Sequence, residues 1–250
     1  MELTCLKFDT KDGVATITLD RLEKKNALSP QLFRELSACL DKASEDKEVA
    51  ALIITGGEKV FAAGMDMAEF EKFGPGDTYP FWNQGYNLTY EKIWDFRVPT
   101  IAAVSGYALA GGFDLAISCD FRIASETAKF GQLEVDVHLA PGIDRLWRLV
   151  GLSRAKYLGL TCEIIDAQEA YRIGLVEKVV KAEELLSQAQ ALAAKFVSKP
   201  RESLEKSKHS YNMVLDMGHK AAVNWETQLL CHLFDSEERK QIMGGFLRKK

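Results

Sequence analysis

The stretch TIAAVSGYALAGGFDLAISCDFRIA, residues 100–124, decides the fold. Thr100–Val104 is a short, continuously apolar run, the pattern of a strand buried on both faces. Gly106, Gly111 and Gly112 mark a turn in which small residues let a ligand come close to the backbone. A helix around Phe113–Ser118 follows, then a strand at Asp120–Ala124. Strand, glycine-bearing turn, helix and strand in succession indicate an α/β architecture.

The neighbouring segments extend this pattern. Ala50–Thr55 is a second buried-strand run and ends at Gly56-Gly57. Leu3–Phe8, the turn Lys11-Asp12-Gly13 and the alternating Val14–Leu19 read as a β-hairpin. Ser29-Pro30 supplies an N-cap and a first-turn proline to a helix whose stripe is Leu32, Leu36, Cys39, Leu40 and Ala43. A helix is predicted near Phe81–Trp94. The alternation runs to about residue 180. Leu185, Ala189, Leu192 and Phe196 then keep helical spacing, Pro200 breaks the run, and helical patterns continue to Phe246. These periods predict a core over residues 1–195 and a helical C-terminal region over 196–250.

Composition narrows the function. At 250 residues, with 47% hydrophobic and 27% charged positions, the chain can bury a substantial core. A net charge of -4 gives no basic footprint, so nucleic acid is not an expected partner. No apolar run is long enough to span a bilayer, and no basic-then-apolar leader precedes the first strand; a cytoplasmic protein is expected. Five scattered cysteines and four histidines without ligand spacing predict neither a disulfide framework nor a metal site.

Two turns carry candidate chemistry: Phe61-Ala62-Ala63-Gly64-Met65-Asp66-Met67 and Gly106–Asp114. Facing each other, with a helix N-terminus behind the second, they would make an oxyanion hole. Each alone also reads as an ordinary tight turn.

With their flanks, these motifs resemble the crotonase (enoyl-CoA hydratase/isomerase) family. The matching pieces are Arg21–Leu28, Phe61–Asp66, Pro99–Ala108, Gly111-Gly112, Cys119-Asp120, Phe130-Gly131-Gln132, Glu134, Pro141-Gly142 and Ala167–Ala170. The resemblance implies a spiral of repeated ββα units with a C-terminal helical region for trimerisation, giving a homotrimer or a dimer of trimers. It implies an acyl-CoA thioester substrate whose carbonyl is held by the N–H groups of Met65 and Gly111, and no cofactor beyond the coenzyme A of the substrate. Coenzyme A contacts are implied at Lys24 and Lys25 (phosphates), Ala63 (adenine) and Phe246 and Lys249 (nucleotide).

Asp114 and Glu134 stand where hydratases of this family carry a pair of glutamates, and they are the expected catalytic carboxylates. Two carboxylates flanking one water can take its proton and deliver one to the α-carbon. Asp114 is one methylene shorter than glutamate and also reads as a first-turn helix acid. An aspartate followed by Glu134-Val135-Asp136-Val137 looks like dienoyl-CoA isomerases, which carry a further aspartate where this chain has Gly142. Asp144 could replace it, or serve as a loop ion-pair acid. Hydration of a 2-enoyl-CoA, or of a cyclic dienoyl-CoA, is therefore the leading reading, double-bond isomerisation the second, and acyl-CoA hydrolysis, for which no dedicated nucleophile stands in the sequence, the third. Tyr79, Trp82, Tyr86 and Tyr90 fall at helical spacing and could wall an acyl pocket or pack in a trimer core. His138 could line the pocket as a proton shuttle or be structural.

Overall fold

The computed structural model describes residues 2–247 and divides at Val197/Ser198 into two compact units. In the first, β1 (Leu6–Lys11) and β2 (Val14–Leu19) form the expected antiparallel hairpin, Leu6 opposite Leu19 and Lys11 opposite Val14. Asp12 (φ 51°) and Gly13 (φ 75°) close it in the left-handed region, where a two-residue turn matches the twist of its strands. Next to β2, in parallel, lie β3 (Ala51–Thr55) and β4 (Thr100–Val104). A smaller sheet pairs β5 (Tyr107–Leu109) with β7 (Lys129–Gly131), and β7 with β8 (Ile165–Asp166). The large sheet is completed by β6 (Phe121–Ser125) and β9 (Lys178–Val180), in the order β1-β2-β3-β4-β6-β9.

Every residue of β3 and β4 is buried, because both faces of the sheet are covered. Leu52, Ile54, Ala102 and Val104 face a core that includes Leu32, Leu36 and Leu40 of α1 (Pro30–Glu45). The alternate residues Ala51, Ile53, Ile101 and Ala103 pack with Leu185, Ala189 and Ala193 of the Leu185–Val197 helix. Ser29 caps α1, its hydroxyl accepting the Leu32 N–H at 3.2 Å, with Pro30 at the first helical position. Truncating Ile54 to alanine in such a core costs about 2–5 kcal/mol.

Between β3 and β4 run the short α2 (Met67–Phe70) and α3 (Thr78–Pro80), a π-helical segment Phe81–Asn87, and α4 (Leu88–Trp94). The expected single helix over 81–94 is thus widened in its first half, a distortion that concentrates at functional sites. Beyond β5 come α5 (Gly111–Ser118), α6 (Ile143–Val150), α7 (Leu152–Thr161), α8 (Ala167–Arg172) and α9 (Leu185–Val197).

The second unit consists of α10 (Arg201–Val214), α11 (His219–Phe234) and α12 (Glu237–Leu247). The Trp225 indole donates to the Ser210 hydroxyl at 2.9 Å, tying α11 to α10. Lys208 alone is buried among its described side chains, while Tyr211, Leu230 and Phe234 are 75%, 60% and 63% exposed. Among the described residues no helix is long and apolar enough to cross a membrane.

Candidate active site

Backbone hydrogen bonds lace the two glycine turns together. Phe61 N–H donates to Ser105 O at 2.7 Å, Ala62 N–H to Tyr107 O at 2.8 Å, and Leu109 N–H to Ala62 O at 3.0 Å. The approach requires glycine at 112, where a Cβ would fall 2.2 Å from Ala62 O. On its other side the first turn is bridged to Leu28, which donates to Gly64 O at 2.8 Å and accepts from Asp66 N–H at 2.9 Å. A parallel bridge of this kind uses the residues on either side of Met65 and leaves the Met65 N–H unspent.

Gly111 opens α5, so its N–H has no acceptor one turn back. Ala110 before it adopts φ 48°, ψ -127°, a conformation costing an alanine about 1–3 kcal/mol. It is held there by its N–H bond to Gly131 O at 2.8 Å. Neither the Met65 nor the Gly111 N–H donates to an acceptor among the described residues. Both residues line one cavity of about 510 Å³, with Trp82, Tyr86, Glu134 and Gly142 also on its wall.

Glu134 follows β7, and its carbonyl accepts the Val137 and Leu139 N–H groups at 3.1 and 2.8 Å, folding the chain into a tight turn. Its side chain is 8% exposed, and Oε2 is buried without a hydrogen-bond partner. Burial, then the negative Asp114, pushes the carboxyl up to about 7. An uncompensated buried carboxylate is costly, so this oxygen is poised to take a proton.

Asp114, in the first turn of α5, is 1% exposed and lies behind the wall rather than on it. Its carboxylate does not serve the helix end. Oδ2 accepts from the Tyr86 hydroxyl, and Oδ1 from Gln132 Nε2 at 3.2 Å. Gln132 also donates to Gly142 O at 3.0 Å. Burial raises the Asp114 carboxyl to about 6, against the opposing pull of Tyr86, Gln132 and the cationic Arg145. Arg145 is itself buried, paired with Glu91, and lies over the Tyr90 ring at 5.8 Å. Both carboxyls are thus held above the ordinary carboxylate range, Asp114 by burial and Glu134 by burial and the Asp114 charge.

The four aromatic residues at helical spacing separate in the structure. Trp82 and Tyr86 line the cavity, their rings 4.7 Å apart. Tyr90 is fully buried and supports the second turn by donating to Gly111 O at 2.7 Å, while Tyr79 is 75% exposed. His138, open between a pocket and a structural role in the sequence, is exposed and in the left-handed region at φ 61°, and Val137 and Leu139 on either side of it reach the wall. Asp144 is an exposed ion-pair partner of Arg148 at 3.2 Å and does not stand in for an aspartate at 142.

Ala63 lines the cavity, and its N–H donates to Lys25 O at 3.1 Å, which brings that turn to the exposed Lys24 and Lys25. The Phe246 side chain and Lys249 lie outside the described residues. Sequence reasoning assigned no role to Gln132 or Arg145 and missed the bond from Tyr86 to Asp114. These contacts join residues 18, 28 and 31 positions from Asp114 through folding alone, although Gln132 stood within a matched motif.

The profile of the enoyl-CoA hydratase/isomerase family matches residues 9–250. The chain is 37% identical over 254 residues to the short-chain-enoyl-CoA hydratase of Clostridium acetobutylicum, covering 100% of this chain and 97% of that one. It is 37% identical over 247 residues to the crotonyl-CoA hydratase of Syntrophomonas wolfei, covering 97% and 95%. The crystal structure of the enoyl-CoA hydratase from Bacillus anthracis superimposes with a TM-score of 0.93 at 32% identity, covering 99% of this chain and 97% of that one.

Proposed function

The chain belongs to the enoyl-CoA hydratase/isomerase family, and we propose that it adds water reversibly across the α,β-double bond of a 2-enoyl-CoA thioester. One observation carries this reading: the unpartnered, buried Oε2 of Glu134 shares a cavity with two unspent backbone N–H groups.

The thioester oxygen sits between the N–H groups of Met65 and Gly111. As water attacks the β-carbon, the π electrons move onto that oxygen, and both donors bind it more strongly in the enolate than in the ground state. Losing one such donor costs roughly 3–4 kcal/mol of barrier lowering. Glu134 takes the proton of the water and returns a proton to the α-carbon. The atoms balance with no cofactor beyond the coenzyme A of the substrate. Asp114 supplies the second carboxylate of the site.

Lys24 and Lys25 meet the phosphates of coenzyme A, the Ala63 carbonyl its adenine, and Phe246 and Lys249 the nucleotide. The backbone bond between Ala63 and Lys25 supports the first part of this reading. The exposed apolar residues of α10 and α11 support assembly into a trimer or a dimer of trimers. Five free cysteines, four of them buried, suit a reducing cytoplasm.

Incubation with crotonyl-CoA tests the proposal. Conversion to the 3-hydroxyacyl thioester, seen by mass spectrometry, is expected. Failure to hydrate any 2-enoyl-CoA of a length series would overturn it.

A further inference from the structure

We propose that the Tyr86 hydroxyl, anchored by Asp114, is the group that holds the attacking water opposite Glu134. This inference rests on the hydratase reading and assigns a residue within it.

Asp114 is poorly placed to meet the water itself. Both of its oxygens are engaged, one by Tyr86 and one by Gln132. Gly142 covers it so closely that a Cβ there would fall 2.7 Å from Oδ2. It is 1% exposed and absent from the cavity wall, whereas Tyr86 is on that wall with Met65, Gly111 and Glu134. The Tyr86 ring also reaches the carbonyl-binding turn, with Cε2 3.5 Å from the place a Gly111 Cβ would occupy.

The chemistry of the phenol follows from its partner. Burial and the Asp114 charge hold the Tyr86 hydroxyl well above its ordinary range, so it keeps its proton and donates it to Asp114. A hydroxyl whose hydrogen is committed offers only lone pairs in other directions. The bond to an ionised carboxylate polarises the O–H and makes the oxygen a better acceptor. Water can then donate one hydrogen to Glu134 Oε2 and the other to Tyr86 Oη, leaving a lone pair for the β-carbon. The O–H bond toward Glu134 breaks as the C–O bond forms, and Tyr86 exchanges no proton. Tyr86 is a catalytic residue in this scheme because it touches the reacting water, and Asp114 is its positioning residue.

Tyr86→Phe removes only the hydroxyl, and circular dichroism checks that the variant folds. Two reactions are followed: hydration of crotonyl-CoA, and exchange of the α-hydrogens of butyryl-CoA in deuterated solvent. Exchange needs Glu134 and the two N–H donors but no attacking water. The expected result is a loss of about 10-fold or more in kcat for hydration, with KM and the exchange rate within about 3-fold of wild type. Asp114→Asn is expected to lose hydration as heavily, with its exchange rate also shifting because the lost charge lets the Glu134 carboxyl fall. The double variant is expected to hydrate no more slowly than the poorer single variant, because the two residues act as one unit in holding the water.

Hydration by Tyr86→Phe within about 3-fold of wild type overturns the inference, and so do losses of hydration and exchange in proportion, the mark of a packing role. Additive losses in the double variant overturn the pairing. A wild type that hydrates no 2-enoyl-CoA overturns the hydratase reading and this inference together. A hydrating wild type with an equally active Tyr86→Phe overturns this inference alone.

Discussion

The Asp114 carboxyl lies directly against Gly142: a Cβ built at 142 falls 2.7 Å from Oδ2 and 2.9 Å from Cγ. Tyr86 and Gln132 fix that carboxyl, so it cannot move aside without breaking one of their bonds. An aspartate at 142, the residue that would suit a dienoyl-CoA isomerase, has no room beside Asp114 on this backbone. Gly142→Ala is expected to lower turnover by about 10-fold or more and stability by about 1–3 kcal/mol. Steady-state hydration rates and urea denaturation measure both, and wild-type values would show that the loop yields freely.

Glu134→Gln is expected to reduce kcat by about 100-fold or more, the usual size of a general acid–base contribution. Acyl-CoA affinity should persist by calorimetry, since the change is isosteric and the carbonyl donors are backbone. In the wild type, kcat/KM for hydration should rise with pH through about 7 as Glu134 ionises. Wild-type turnover in the glutamine variant would remove Glu134 from the mechanism.

The same substitution has a stability consequence whose sign is fixed. The folded Glu134 carboxyl is raised from 4.5 to about 7, so the native state binds its proton more tightly than the unfolded chain does. Its stability contribution is complete below about 4.5 and is lost as pH rises through about 7, where a buried carboxylate must ionise without a partner. Glutamine carries no such charge. Glu134→Gln should therefore gain about 2–3 kcal/mol relative to wild type between pH 5 and pH 8. A constant difference between urea titrations at the two values would show that the carboxyl is solvated in the native state.

Much of this site was legible in residues 61–67 and 106–114, because a turn that must approach another backbone depends on glycine and small residues. Ser29-Pro30 and Asp12-Gly13 announced their cap and their turn for equally local reasons. The bond from Tyr86 to Asp114 had no such signal: helical spacing places Trp82, Tyr86 and Tyr90 on one stripe and does not distinguish a cavity wall from a core. The π-helical widening of Phe81–Asn87 was invisible for the same reason. The sequence leaves His138 open between a pocket and a structural role, since proximity to Glu134 does not say which side chains of the turn reach the cavity wall; Val137 and Leu139 do.

The C-terminal helices bear on assembly. Leu230 and Phe234 of α11 are 60% and 63% exposed, apolar surface of the kind that subunit contacts cover. Light scattering at micromolar concentration should give three or six times the chain mass of 27.9 kDa. A mass equal to one chain would contradict the trimer. Leu230→Asp with Phe234→Asp should shift the population toward single chains if these residues lie in the contact.

Asp114 separates hydration from isomerisation. If water is the substrate, the ionised Asp114 must orient the group that holds it, and Asp114→Asn replaces a charged acceptor with a neutral amide. Hydration should then fall by about 10-fold or more. If the reaction is a one-base double-bond shift, Glu134 alone carries the proton, and Asp114→Asn should keep most of its activity on a 3-enoyl-CoA. A dienoyl isomerase would need a second proton carrier and would lose activity as well, so rates on one substrate do not decide the matter. Oxygen-labelled water does, because only hydration transfers solvent oxygen to carbon. The wild type is expected to place label at the β-carbon of the product from crotonyl-CoA, and Asp114→Asn to suppress that incorporation while leaving acyl-CoA binding intact. If no 2-enoyl-CoA acquires label while a double bond still migrates, isomerisation replaces hydration as the activity, with Glu134 as its base.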